Sequence, residues 1–277
     1  MNNFEAPLVN ERFEKIISEV EALDIGLDLR RHPELCARLM EIGAHFDDSL
    51  HMARIIRAVY GPLQTALGLE DEGPERLMRA AVLHDIGKSG PAGEEGDFNR
   101  AVQKLFIPPA RPFSPYENSR ARTIVEFMAS QGWSEPESAE VRAVLEAAGV
   151  DPDTRPMIDF WRRHAQWTLD ILSPETSPDI DAEVVAAAAS HHLYEGRDPL
   201  NFLTDLAAAP EQELKMANAL EIIDKYQANR VRWARNHEDS LAWLEGVLSK
   251  RTDLPPVLAA NYRAIIKVLR DSEGLLS

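Results

Sequence analysis

His84 and Asp85 stand side by side at the end of an apolar run, in the stretch AAVLHDIGKSG from Ala80 to Gly90, with Lys88 three residues further on. Such a group has three readings: polar decoration of a helix end, a buried His–Asp pair, or a metal site beside a phosphate-binding cation. The choice depends on whether the rest of the chain supplies matching ligands. Asp47 and His51 are four residues apart, which places them on one face of a helix. His164 lies within FWRRHAQWTLDIL, His191 and His192 follow the alanine-rich DAEVVAAAAS, and Asp224 sits in ALEIIDKYQ behind an apolar face. Imidazoles and carboxylates carried inward are costly unless they are paired or bound to a cation. Helical bundles build di-metal sites from such contributions of separate helices. Neutral imidazoles with carboxylates suit Mn, Fe, Co or Zn, and a ligand set without cysteine thiolates argues against a structural zinc site. The remaining histidines read as structural: His32 precedes a proline in a turn, His45 lies off the His51 helix face, and His237 in RNHEDS falls in a loop.

The elements that must position these residues read as helices almost throughout. Apolar residues at Phe13, Ile16, Ile17 and Val20 follow helical spacing, and PELCARLMEIGAHF and LHMARIIRAVYGPLQTAL repeat it. GPERLMRAAVLHD opens on a Gly-Pro start and ends at the His–Asp pair. PMIDFWRRHAQWTLDIL, PEQELKMANALEIIDKYQANR, SLAWLEGVL and PPVLAANYRAIIKVLRD continue the pattern. Residues 89–120, rich in Pro and Gly, read instead as a long loop, either a lid or a plain surface excursion. With 277 residues, 44% hydrophobic and only 7% aromatic, the composition predicts one all-α domain.

The net charge of −16 disfavours nucleic-acid duplexes as partners over most of the surface and confines any phosphate to a locally positive site. The single cysteine, Cys36, permits no internal disulfide and fits a reducing compartment. No signal-peptide pattern opens the chain and no apolar stretch is long enough to span a bilayer, so a cytoplasmic location without membrane contact is expected.

The order Asp47–His51, His84–Asp85, Lys88, His164, His191–His192, Asp224 resembles the HD-domain metal-dependent phosphohydrolases. The nearest branch is the HD-GYP phosphodiesterases, which hydrolyse cyclic di-GMP. HDIGK is that family's core motif as it stands here, and HMARI, the segment after His164, AAASHH and EIIDKYQANR resemble its other motifs, over roughly residues 45–235. The resemblance implies a helical bundle with its core at about 45–235, an insertion over 89–160 and C-terminal helices over 236–277, holding two or three divalent transition-metal ions in that core. Fe or Mn comes first, with Co, Ni or Zn as alternatives. The ligands it implies are His51, His84, Asp85, His164, His191, His192 and Asp224, with Asp85 bridging two ions. Asp47 would hold a third ion, accept a hydrogen bond from a ligating imidazole, or decorate a helix start. Lys88 is assigned to a phosphate oxygen, with Arg54, Lys225 and Arg230 as further substrate contacts. The expected reaction is in-line attack of a metal-activated water on a nucleotide phosphodiester, cyclic di-GMP first. The expected partners are a small nucleotide and either a second copy of the chain or a signalling protein. The chain departs from the pattern at Leu193, where the family has Glu, at Thr168, where it has Gly, and in having no Gly-Tyr-Pro loop. Hydrolysis of another nucleotide or nucleoside phosphate is therefore one alternative, and a non-catalytic nucleotide- or protein-binding domain is another.

Overall fold

A computed structural model describes residues 5–93, 96–106 and 123–276. The chain is all-α, with no strand among the described residues. The helices are α1 (Glu5–Glu21), α2 (Pro33–Ile42), α3 (Ala44–Leu67), α4 (Glu75–Leu83), α5 (Asp97–Phe106), α6 (Ile124–Gln131), α7 (Glu135–Ala147), α8 (Met157–Trp161), α9 (Arg163–Leu172), α10 (Ala182–Ala189), α11 (Glu211–Arg232), α12 (His237–Ser249) and α13 (Pro256–Asp271). No helix among the described residues is long and apolar enough to cross a membrane.

The main core lies between α3, α4, α10, α11 and α13. Helix α3 buries Phe46, Ser49, Leu50, Met52, Ala53, Ile56, Val59, Tyr60 and Leu63, the recurrence of a helix covered on one side. It stops at Gly68, whose left-handed φ of 64° lets its N–H cap the last turn. Helix α10 is capped by Asp181, which accepts from Val184 N at 3.0 Å. Its residues 184–189 are all buried, and the small Ala side chains allow α4, α9 and α11 to approach closely. That approach brings the ends of α4, α9 and α10 together.

The 89–160 insertion contains more helix than its composition suggests. Residues 97–106, expected in a loop, form α5, because Ala101, Val102, Leu105 and Phe106 recur on one face and are buried. With Ile124, Phe127, Met128, Val141, Leu145, Met157 and Phe160 they make a second, smaller core that takes in Trp167 of α9. The rest of the proposed lid, 107–120, lies outside the described residues. The stretch 157–172, read as one helix, is two: α8 ends at Trp161, and Arg162 separates it from α9. His237, expected in a loop, begins α12 and is buried.

Two packing features hold the segments that carry the His and Asp residues. The turn Ile86–Ser89 presses on α9, and Gly87 is its contact point: a Cβ there would collide with the His164 carbonyl oxygen and the Thr168 backbone nitrogen. Thr168 Oγ1 accepts from Gly87 N at 3.1 Å and donates to His84 O at 2.9 Å, clamping both sides of the His–Asp pair. On the other side, fully buried Glu221 of α11 accepts from Tyr194 N at 2.8 Å and from Tyr262 Oη at 2.5 Å, and Lys225 Nζ lies 3.5 Å away. This fixes the turn Leu193–Glu195 directly after His191–His192.

Gly87→Ala is expected to destabilise the fold by roughly 1–3 kcal/mol, the usual cost of overpacking. Thermal denaturation checks it, and an unchanged midpoint would contradict the contact. Burial pushes the Glu221 carboxyl up to about 7 from 4.5, against the opposing pull of Lys225 and Tyr262. Between those values the folded state holds the extra proton, so stability falls as pH rises across that window, by on the order of 3 kcal/mol. Denaturant titrations at several pH values should show this slope in wild type and lose it in Glu221→Gln. A slope that survives in the variant would assign it to other groups.

Candidate metal centre

Three histidines reach the centre in the same way. His84 follows α4, His191 follows α10, and His164 follows the short α8. Each turns its Nδ1 back to the carbonyl three residues earlier: His84 to Ala81 O at 2.7 Å, His164 to Trp161 O at 2.6 Å, His191 to Ala188 O at 2.5 Å. Those carbonyls belong to final helical turns, where intrahelical donors run out. A carbonyl only accepts, so Nδ1 carries a proton in each ring and Nε2 is bare whenever the ring is neutral.

The bare nitrogens converge. His164 Nε2 lies 3.1 Å from His191 Nε2 and 3.1 Å from His192 Nε2. His84 Nε2 is buried with no hydrogen-bond partner. Asp85, only 2% exposed, sits among them. Its Oδ1 is 3.4 Å from His164 Nε2 and 3.8 Å from His191 Nε2, and its Oδ2 is 3.5 Å from His84 Nε2. Asp224 Oδ1 comes within 3.9 Å of His84 Nε2. Lys88 Nζ donates to Asp85 Oδ2 and, at 3.2 Å, to His45 Nδ1.

Facing lone pairs in a dry interior repel, and each unsatisfied buried polar atom costs roughly 1–3 kcal/mol. A cation among them turns these costs into bonds. Two sets have ligand atoms close enough to share an ion, His164/His191/His192 and His84/Asp85/His191. The buried His and Asp groups can therefore hold a metal ion. The electrostatics fit the same role. Burial, reinforced by His84 and His164, holds His191 well below the ordinary imidazole range. Burial with His191, His164 and Lys225 does the same for His192. Both are thus in the neutral, ligating form near pH 7. Burial works to raise the Asp85 carboxyl, but His84, Lys88 and His164 outweigh it and hold it well below the usual range, so Asp85 is ionised. For His84 the burial is outweighed by Asp85 and Asp224, and its pKa is raised.

Of the residues singled out in the sequence, the structure brings together His84, Asp85, Lys88, His164, His191, His192 and Asp224. It does not bring Asp47, His51 or Arg54, which are exposed on α3. Asp47 and His51 do share a face, but it is the solvent face, because the apolar residues of α3 turn the opposite side inward. The expectations of a ligand at His51, a third-ion ligand at Asp47 and a phosphate contact at Arg54 are corrected accordingly. Lys225 pairs with Glu195 Oε1 at 3.1 Å, beside His192, and Arg230 donates to Tyr226 Oη at 2.8 Å, so both already have partners within the protein.

Two residues were missed. His45 is buried, with Nε2 on Phe106 O at 2.6 Å and Nδ1 3.7 Å from Asp85 Oδ2. It shares a stripe with Ser49, Met52 and Ile56 at helical spacing, a signal present in the sequence. Glu195 lies 3.6 Å from His192 Nδ1, which is buried without a hydrogen-bond partner and, unlike Nδ1 of His84, His164 and His191, is not turned to a backbone carbonyl. Nothing in the sequence distinguishes Glu195 from other acidic loop residues. No family model, curated protein or solved structure matches the chain.

His51→Ala and Asp47→Ala are expected to leave metal content unchanged, whereas His191→Ala should lower it. Elemental analysis of the purified proteins decides, and loss of metal from the His51 variant would restore the outward pair to the site. A metal at His84 Nε2 must displace a proton that Asp85 and Asp224 help to hold. Metal affinity should therefore rise with pH, with protons released on binding. Calorimetric titrations showing no pH dependence would contradict this.

Proposed function

We propose that the chain is a metal-dependent phosphohydrolase of the HD-domain kind, acting on a nucleotide phosphodiester with cyclic di-GMP as first candidate. The observation that carries the reading is the Asp85 carboxylate, flanked on both oxygens by bare imidazole nitrogens and accompanied by the Lys88 ammonium. His84, Asp85 and Asp224 would hold one divalent ion, and His164, His191 and His192 a second, with Asp85 shared. Fe or Mn suits such N/O ligation best, with Co, Ni and Zn as alternatives. Bound ions of this kind supply Lewis-acid polarisation of a phosphoryl oxygen and of the attacking water. The residues of the chain do the rest. His45 accepts from Lys88 and so orients its ammonium, which neutralises a non-bridging phosphoryl oxygen as charge builds there. The Thr168 clamp keeps His84 and Asp85 in register with His164.

A second reading is favoured by one observation. Of the expected phosphate contacts Lys88 touches the Asp85 carboxylate directly, whereas Lys225 adjoins the cluster through Glu195 and Arg230 is bonded to Tyr226. A single cation suits a substrate with one phosphate at the centre, such as another nucleotide or a nucleoside monophosphate.

Metal-loaded protein assayed on a chromogenic phosphodiester, a chromogenic phosphomonoester and cyclic di-GMP separates these readings. Turnover of the diesters supports the first, and turnover of the monoester alone supports the second. No turnover of any of them with metal bound would leave a binding domain. Asp85→Asn should lose metal and activity together. Lys88→Ala should keep its metal and lose about 10²–10³ in kcat, the usual effect of removing one donor to a developing charge. If Lys88→Ala instead loses metal, its assignment to the phosphate is wrong.

A further inference from the structure

A second group of potential ligands lies away from the His/Asp cluster and shares no residue with it. His237 is the first residue of α12 and is 6% exposed. Glu238 follows it in the first turn, and Glu273 opens the short turn Glu273–Leu275 that follows α13. A ring nitrogen of His237 and one carboxylate oxygen from each glutamate lie within 4.8 Å of one another. Acidic residues at a helix start are ordinary, and by themselves would mean nothing here.

The histidine changes that. Its Nδ1 is engaged by Tyr226 Oη at 2.7 Å, and that hydroxyl also accepts from Arg230 Nη1 at 2.8 Å. Its Nε2 is buried and has no hydrogen-bond partner. A protonated Nε2 would be an orphaned donor, whereas a bare Nε2 facing a cation is satisfied. In the tautomer that carries the proton on Nδ1, Tyr226 Oη accepts from it and Nε2 is bare, the arrangement common behind metal-ligating histidines.

We propose that His237, Glu238 and Glu273 form a second divalent-cation site of one nitrogen and two carboxylate oxygens, with water completing the coordination. One imidazole and two carboxylates match the charge of a divalent ion and suit Zn, Co, Ni or Mn. The two glutamates are exposed, so the ion has an open path to the site. Bound there, it cross-links the start of α12 to the turn after α13. Through Tyr226 it braces α11, the helix that also carries Asp224.

Zn²⁺ and Co²⁺ titrations of the full chain test this in wild type, Glu273→Gln, Glu238→Gln and Asp85→Asn, each checked for folding by circular dichroism. Glu273→Gln and Glu238→Gln should each bind one ion fewer than wild type, or bind that ion at least about tenfold more weakly. The rise in melting temperature on adding Zn²⁺ should shrink in both. Asp85→Asn should keep this ion whatever happens at the His/Asp cluster. Equal ion counts and affinities in wild type and both glutamate variants would overturn the site. Asp85→Asn binding as many ions as wild type would count against the phosphohydrolase reading and leave this one standing.

Discussion

Taking the Asp85 carboxylate out of water sets the terms for the rest of the structure. An ionised carboxylate buried alone costs several kcal/mol even after the protein relaxes around it. Asp85 is nearly inaccessible, and the partners that offset this cost come from different parts of the chain: His84 and Lys88 from its own turn, His164 from α9, His191 from the end of α10 and His45 from α3. The helix ends must therefore meet at one point to within a few tenths of an ångström. The features of the fold that look arbitrary from outside serve that meeting. The alanines of α10 bring its axis close, Gly87 lets the HDIGK turn touch α9, and Thr168 ties the two together.

The same residues solve two problems. A helix end leaves carbonyls without donors, and a metal ligand needs one ring nitrogen fixed so that the other is free. By reaching back three residues, His84 and His191 satisfy a final-turn carbonyl and present Nε2 inward in one contact. Orientation therefore comes from the backbone, which is rigid there, and needs no separate carboxylate behind each ring. His192 is the exception: its Nδ1 makes no hydrogen bond and faces, at 3.6 Å, Glu195, itself held by Lys225 and Arg162. The centre thus has a side braced by main chain and a side braced by a network of charges.

Much of this was legible in the sequence, for a physical reason. Helical spacing reports which face is apolar, so the all-α fold, and the inward direction of His84, His164, His191 and Asp224, follow from neighbours that must be buried. The same logic, applied with care to α3, would have chosen His45 over His51: His45 falls in line with Ser49, Met52 and Ile56, while His51 falls in line with Asp47 and Arg54. Matching Asp47 and His51 to each other established a shared face but not its direction. Residues 97–106 look like loop because Pro and Gly around them dominate the composition, although four apolar side chains sit at helical spacing within. Glu195 was beyond reach, since its role depends on a contact with His192 set by how the turn 193–195 closes on α11.

The second core meets the centre at one residue. Phe106 gives its carbonyl to His45 and lays its ring against His164 at 5.6 Å, and the same ring packs on Trp167 at 6.4 Å. Trp161 completes the arrangement, its indole nitrogen on Leu105 O and its own carbonyl on His164 Nδ1. Two of the chain's indoles are therefore joined to the His164 imidazole through one phenyl ring and one peptide carbonyl. Were a paramagnetic ion held at His164, the emission of Trp161 and Trp167 would report its occupancy without a label.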